Sequence, residues 1–142
     1  MILDAKLRKI LWELIEESKK DTDFNSEKQE DKLYVLLNER YPRDDIEMLL
    51  QEFTCIMNEY IGSKDFESLH WSKGGIINGA DDCFYLDFAS WLVGQGKELY
   101  DDYFKRGAIA ILTYVINNGI TREQFEYECM MNAFFNYEAE ID

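Results

Sequence analysis

The residues best suited to chemistry lie in one glycine-rich stretch between positions 70 and 97. This stretch holds the only histidine, two of the three tryptophans and five of the eight glycines. Binding pockets combine aromatic walls with a few convergent polar groups, so this stretch contains the candidate residues for one. Its candidate binding residues, in chain order, are His70, Trp71, Asn78, Asp81, Asp82, Asp87 and Trp91.

The adjacent acidic residues of this stretch permit two interpretations. With His70, the carboxylates of Asp81, Asp82 and Asp87 can be drawn as a metal or acid–base site, because hard cations prefer oxygen ligands. Adjacent helical residues point about 100° apart, however, so Asp81 and Asp82 cannot both face one ion on a helix. A carboxylate at a helix N-terminus accepts backbone N–H groups that lack partners. We therefore predict that Asp82, or Asp81, caps the next helix, with no metal site and no cofactor; ligand binding is the alternative.

Nucleophilic catalysis and phosphate binding have less support in the same stretch. No serine or cysteine signature surrounds His70, and the glycines are not followed by the lysine and hydroxyl of a phosphate-binding loop. Tryptophans at helical spacing usually belong to a core, which is the alternative to pocket lining for Trp71 and Trp91. The sequence therefore names no catalytic residue, and we lean against an enzyme.

Helices must position these residues, because nearly every apolar position follows a 3.6-residue period. We predict an all-α fold, one domain over residues 1–142 with about six helices and a mobile loop at 20–30, where apolar residues are almost absent. A break is expected at Gly94–Gly96, between two apolar segments. The predicted centre of the core is Phe84, Phe88, Trp91 and Leu92, with Leu7, Leu11, Phe53 and Met131 as neighbours.

Local motifs predict where some of these helices begin. Ser26 followed by Gln29, and Thr121 followed by Gln124, resemble capping boxes. The run from 109 to 116 is rich in β-branched residues, so its local sequence is compatible with either a helix or a strand. We predict a helix there, because no other segment alternates as a partner strand would. The last helix is expected to carry the apolar residues from 125 to 135.

The charge of the chain excludes some partners. Against 15 basic residues stand 29 acidic ones, for a formal net charge of −14 over 142 residues. Such a surface repels phosphate backbones and anionic lipids, so we expect neither nucleic acid nor membrane as a partner. It favours a basic protein partner, although acidity also simply keeps a protein soluble. Nothing in the sequence sets the oligomeric state.

Location is predicted from the N-terminal segment and the cysteines. Asp4, Lys6 and Arg8 interrupt the first apolar residues, so no signal-peptide core is present, and no apolar run is long enough to span a bilayer. The three cysteines are odd in number and lack the spacing of metal ligands. Reduced thiols fit an intracellular protein, and we predict a cytoplasmic location.

Several short motifs occur in an order that carries a family resemblance. They are Leu11-Trp12-Glu13-Leu14-Ile15, Trp71, Ile77-Asn78-Gly79, Asp81-Asp82, Phe84, Asp87-Phe88, Trp91-Leu92, Gly96 and Gln124-Phe125-Glu126-Tyr127. This order resembles the bacterial family called domain of unknown function 4240. The chain departs from that pattern at Ala89, where an arginine is expected, and at 104–107, where an Asp-rich, proline-containing turn is expected. The resemblance implies an all-helical bacterial domain; it implies no activity and provides no catalytic residues.

Two functions of different classes are compatible with the sequence. The first is a non-catalytic interaction protein, such as an immunity or inhibitor protein that masks a basic, nuclease-like toxin. Its basis is the charge of −14 on a small domain without a recognisable catalytic constellation. The alternative is a small enzyme or ligand-binding domain whose pocket is built from His70, Trp71, Asn78, Asp81, Asp82 and Trp91.

Overall fold

The structure, a computed structural model, describes residues 4–77, 82–127 and 130–135, with side chains given from residue 6 and, after the gap at 78–81, from residue 85. The described residues form seven α-helices: α1 (Asp4–Lys19), α2 (Ser26–Arg40), α3 (Arg43–Ile61), α4 (Asp82–Gly94), α5 (Lys97–Arg106), α6 (Ala108–Asn117) and α7 (Arg122–Phe125). Three 3₁₀-helices span Phe66–Leu69, Trp71–Lys73 and Met130–Phe134. Within these ranges the β-structure amounts to one isolated bridge between His70 and Ile77. The all-α prediction is confirmed.

Helix α4 lies at the centre of the core. Every side chain from Phe88 to Val93 is buried, so the C-terminal half of this helix is enclosed on all sides rather than along one stripe. It packs against α3, α5 and the 3₁₀-helix Met130–Phe134. The predicted centre is confirmed for Phe88, Trp91 and Leu92, while the side chain of Phe84 lies outside the described residues. The predicted neighbours Leu7, Leu11 and Phe53 are buried in the same cluster, and Met131 packs against it partly buried.

The predicted break between α4 and α5 is present at Gly94–Gly96. Gly96 has φ of +107°, a conformation that residues with a Cβ rarely adopt. A Cβ at this position would also overlap the carboxylate of Glu16 on α1. Lys19 on α1 donates a hydrogen bond of 2.7 Å to the carbonyl of Gln95. The break is therefore fixed against the C-terminal turn of α1.

The predicted loop at 20–30 is shorter than expected, because α2 already begins at Ser26. In the remaining loop, three residues other than glycine have positive φ: Asp21, Asp23 and Phe24. Asn25, and not Ser26, caps α2, because its Oδ1 accepts a hydrogen bond of 2.9 Å from the Lys28 N–H. The capping box predicted at Ser26 and Gln29 is therefore wrong.

The second predicted capping box has a different role in the structure. Thr121 precedes α7 without a side-chain capping bond. Gln124 Oε1 instead accepts a hydrogen bond of 2.7 Å from the Ser26 N–H, and the Ser26 hydroxyl donates to the Gln124 carbonyl at 2.9 Å. These two bonds join α7 to the start of α2. A motif that is typical of a local cap thus serves a contact between distant segments.

The predicted last helix is not continuous. Helix α7 ends at Phe125, and Met130–Phe134 is a separate 3₁₀-helix. The N–H of Met131 donates to the Ser90 hydroxyl at 2.8 Å, so a side chain of α4 accepts a hydrogen bond that an α-helix would have made within its own backbone. Phe125, Met130 and Phe134 are all buried. Packing against the rest of the core overrides the local helical pattern here.

Candidate functional site

His70 lies between two 3₁₀-helices and caps the second. Its Nδ1 accepts a hydrogen bond of 3.2 Å from the Ser72 N–H and lies 2.8 Å from the Ser72 hydroxyl. Its ring stacks on Tyr85 of α4, with centroids 6.2 Å apart. These contacts give the imidazole a structural role in the turn that precedes α4.

Trp71 lies next to His70 and points outward, with 59% of the residue exposed. The guanidinium of Arg122 on α7 lies 5.5 Å from the centre of its ring, within the range of a cation–π contact. Arg122 also forms an ion pair of 2.8 Å with Glu126. The exposed ring therefore contacts, on one side, a guanidinium group whose charge is balanced by Glu126.

Trp91 lies in the core, with 1% of the residue exposed. Its ring stacks on Phe88 at 5.8 Å and meets Tyr114 and Phe125 edge to face at 6.4 and 6.2 Å. The structure thus places Trp71 on the surface and Trp91 inside. Of the two interpretations open for tryptophans at helical spacing, the core explains Trp91.

The other candidate residues are described only in part. Asn78 and Asp81 lie outside the described residues, and α4 begins at Asp82, whose side chain is also outside them. Asp87 lies half-buried on α4 and has an interaction partner. The cap by Asp81 or Asp82 and the pocket around His70 therefore stay predictions. Among the described residues, no group of three or more His, Cys, Asp or Glu is arranged to hold a metal ion.

A groove of about 720 Å³ lies elsewhere, between α1, the loop before α2, α5 and α6. Sequence reasoning missed this groove. Its lining combines acidic, basic, amide and aromatic side chains: Glu16, Lys19, Phe24, Gln95, Glu98, Leu99, Asp102, Arg106, Ala110, Thr113, Tyr114, Asn117 and Asn118. One signal was available in the sequence, the glutamine at position 95 between the two glycines of the predicted break. Such a side chain, where it is buried between two helices, must find hydrogen-bond partners on neighbouring segments.

Hydrogen bonds of amides order one wall of the groove. The Tyr114 hydroxyl donates to Gln95 Oε1 at 2.9 Å, and Gln95 Nε2 donates to the Trp91 carbonyl at 3.3 Å. Next to it, Gln29 Nε2 donates to the Gly94 carbonyl at 2.6 Å. Both glutamines are buried. Their amides satisfy carbonyls that the end of α4 leaves free, and the bonds of Gln29 and Tyr114 connect this end to α2 and α6.

The cations of the groove are bound to other groups of this chain. Arg106 donates two hydrogen bonds of 2.6 Å to the carboxylate of Asp102. Lys19 donates a hydrogen bond to the Gln95 carbonyl, and its Nζ lies 3.8 Å from the carboxylate of Glu16. Glu98 forms no ion pair among the described residues. Burial raises the pKa of Tyr114, and the negative charges of Glu16 and Glu98 raise it further. The two carboxylates therefore produce a negative potential at the Tyr114 hydroxyl.

Phe24 lines the groove next to Tyr114. Its ring meets Tyr114 edge to face, with centroids 6.0 Å apart. Its φ is +62°, which is unusual for a bulky residue and costs about 1–3 kcal/mol. The contacts of the loop must offset this strain, so the position of Phe24 is determined by the fold rather than by local preference.

A second polar cluster joins α1, α3 and α5. Arg8 donates hydrogen bonds to Glu52 at 2.5 Å and to Glu59 at 2.7 Å, and the Tyr100 hydroxyl donates to Glu59. Burial opposes ionisation of Glu59, but the hydrogen bonds from Arg8 and Tyr100 outweigh it and lower the pKa of Glu59. Trp12 packs against Tyr100 with ring centroids 5.5 Å apart. The members of this cluster satisfy one another, which gives it a structural role.

Comparisons with known proteins identify a family. A family model described as a protein of unknown function (DUF4240) matches residues 8–130. The match covers most of the 142 residues, so the chain belongs to this family, and the resemblance found in the sequence is confirmed. A search of curated proteins and a search of solved structures find no match. Within the described part of the chain, every helix is too short or too polar to cross a membrane.

Proposed function

We propose that this DUF4240 family member is a non-catalytic interaction domain whose acidic surface binds a basic protein partner, as an immunity or inhibitor protein does. The observation that carries the proposal is the excess of 29 acidic over 15 basic residues. The structure also gives the groups with which the arginines form ion pairs. The partner would supply the positive charge that the chain itself lacks.

The arginines of the chain are already occupied. All five, at positions 8, 40, 43, 106 and 122, form ion pairs with carboxylates of the same chain. Many carboxylates stay outside such pairs. The exposed ones without an ion pair among the described residues are Glu13, Asp21, Asp23, Glu27, Asp31, Glu39, Asp44, Asp65, Glu98 and Glu123. The internal pairs therefore leave a net negative surface available to a partner.

One concentration of this charge lies at the first turns of α2. The Tyr127 hydroxyl donates to Glu30 at 3.1 Å. Burial raises the pKa of Tyr127, and the charges of Glu30, Glu27 and Asp31 raise it further. Three carboxylates thus act on one hydroxyl. Complementary charge of this kind speeds association and makes binding strongly dependent on salt.

A pull-down from the native cell at low and high salt, read by mass spectrometry, tests the proposal. We expect a basic protein to be retained at low salt and released at high salt. A variant with Glu27→Gln, Asp31→Asn and Glu123→Gln should retain less of it. A matched variant with Lys9→Gln and Lys64→Gln, also at exposed positions, should retain at least as much as the parent. A partner that is acidic, or one held equally by all three proteins at high salt, would contradict the proposal.

The second candidate is a ligand-binding domain or small enzyme around His70, Trp71, Asn78, Asp81 and Asp82; Trp91 is excluded from its pocket, because its ring lies in the core. The observation in its favour is the exposed ring of Trp71 beside Arg122. A crystal structure of protein purified from its native cell tests it. An unassigned ligand against Trp71, Asp82 and His70 would favour this candidate over the interaction domain.

A further inference from the structure

Helix α6 has an apolar face that the described part of the chain leaves open. Its inner side chains, Ala110, Ile111 and Val115, are buried. On the other side, Ile109 is 52% and Ile116 74% exposed, with half-buried Leu112 between them. Residues at this spacing share one face of a helix. We call Ile109, Leu112 and Ile116 the α6 stripe.

The α6 stripe adjoins the groove described above. Thr113 and Asn117 each follow a stripe residue directly in the chain, and both line the groove. Glu98 and Asp102 on α5 and Glu16 on α1 provide its carboxylates. At the N-terminus of α6, the side chain of Asp65 lies against Gly107. The apolar surface is thus bordered by carboxylates on one flank, while its N-terminal end has both Asp65 and the lysines Lys64 and Lys105.

The chemistry of this border determines which partner fits. Lys19 and Arg106 also line the groove, but both are bound to oxygen atoms of this chain. Glu98 is outside any described ion pair, and with Glu16 it produces a negative potential at the Tyr114 hydroxyl. The rings of Phe24 and Tyr114 lie in the same lining, and aromatic faces attract cations. The groove therefore favours an ammonium or guanidinium group.

We propose that the α6 stripe and the groove form one docking surface for a basic, amphipathic segment of a protein partner. Apolar side chains of the segment cover Ile109, Leu112 and Ile116, and a lysine or arginine side chain enters the groove beside Glu98. This placement rests on the proposed function and adds the site and the type of segment. A second copy of the chain is a poor occupant, because each copy carries a net charge of −14 and would bring like charges together.

The test uses a defined probe and four variants. The probe is a fluorescent synthetic peptide with leucines on one helical face and lysines on the other; the control peptide has the same composition in an order that puts the leucines on no common face. Fluorescence polarisation measures the binding of each peptide to the parent, to the double variant Ile109→Ser/Ile116→Ser, and to the single variant Glu98→Gln. Val35→Ser and Glu39→Gln serve as matched controls, because both positions are exposed on α2.

We expect the amphipathic peptide to bind the parent more tightly than the control peptide does. The double isoleucine variant should weaken binding about tenfold or more, since two exposed apolar anchors are lost. Glu98→Gln should weaken it at low salt and have little effect at high salt. In a ¹⁵N spectrum, the amide shifts caused by the peptide should concentrate at 98–117.

Three results would overturn the docking surface. They are equal affinity of the double isoleucine variant and the parent, an equal loss in Val35→Ser, and amide shifts that concentrate on α2. None of these results touches the proposed function, which depends on the salt-sensitive basic partner of the pull-down. If that partner is found and the double isoleucine variant retains it fully, the docking surface is wrong while the interaction domain stands.

Discussion

The hydroxyl of Tyr114 on α6 donates a hydrogen bond of 2.9 Å to the side-chain oxygen of Gln95, the residue between the two glycines that end α4 and precede α5. One bond thus connects the wall of the groove to the break in the central helical segment. Because Gln95 is buried, loss of the hydroxyl leaves its oxygen without a described partner.

Tyr114→Phe should lower the free energy of unfolding by about 1–3 kcal/mol, the cost of a buried polar atom left unpaired. Urea denaturation measures the change. Gln95→Ala and the double variant complete a thermodynamic cycle, in which the two effects should not add. Strict additivity would show that the bond contributes nothing to stability.

The tryptophans form a matched pair for a test of the core. Trp91→Ala should cost about 3–5 kcal/mol, because it removes a fully buried aromatic side chain. Trp71→Ala, at an exposed position, should change stability by no more than about 0.5 kcal/mol. Chemical denaturation of both variants checks the prediction, and similar losses for the two would contradict it.

Two neighbouring glycines should respond differently to alanine. A Cβ on Gly75 would overlap the backbone of Leu69, which has little room to move, so Gly75→Ala should destabilise the turn around His70 strongly. Gly74 has φ of +93° but open space around it, so Gly74→Ala should cost only the backbone strain, about 1–3 kcal/mol. In thermal melts, the melting temperature of Gly75→Ala should therefore be well below that of Gly74→Ala. The reverse order would show that the close approach to Leu69 is not needed.

Acid should weaken the cluster around Arg8. The pKa of Glu59 is lowered in the fold from its ordinary value of 4.5, so ionised Glu59 contributes stability above pH 4.5, and this contribution is lost as the pH falls through the lowered pKa. Glu59→Gln should reduce stability at neutral pH and make stability less sensitive to acid. Thermal melts between neutral and acidic pH measure this, with Glu39→Gln as an exposed control. A parallel pH dependence in the parent and Glu59→Gln would contradict it.

The acidic pair Asp81-Asp82 can be tested by stability and by metal ions together. If its carboxylates cap the helix that begins at Asp82, Asp81→Ala or Asp82→Ala should cost about 0.5–2 kcal/mol without any change of metal response. Melts with and without magnesium, calcium, manganese or zinc provide the readout. A metal-dependent shift in the parent that either variant loses would assign the pair to a ligand site instead.

The sequence predicts well where the apolar pattern decides the structure. The central position of Phe88 and Trp91 follows from the 3.6-residue period, and 109–116 is helical although its β-branched residues leave the local preference open. The predictions fail where a side chain bonds to a distant segment. Gln29 donates a hydrogen bond to the carbonyl of Gly94 instead of capping α2, and the hydroxyl of Ser90 accepts a hydrogen bond from the N–H of Met131.

The groove could not be predicted for a related reason. Its walls come from α1, the loop before α2, α5 and α6, and no local motif connects these segments. The left-handed conformation of Phe24, which lines the groove, contradicts the intrinsic preference of an aromatic residue. Only the packing of the helices brings Glu16, Phe24 and Tyr114 together.

The three tryptophans lie in three environments, and this gives the chain its own optical reporters. Trp91 is enclosed by aromatic rings, Trp12 is buried against Tyr100, and Trp71 faces solvent beside a guanidinium. A neutral quencher such as acrylamide reaches Trp71 in the folded protein and the other two only after the core opens. Emission that a partner protects from the quencher without unfolding therefore reports on the surface near α7, and needs no attached dye.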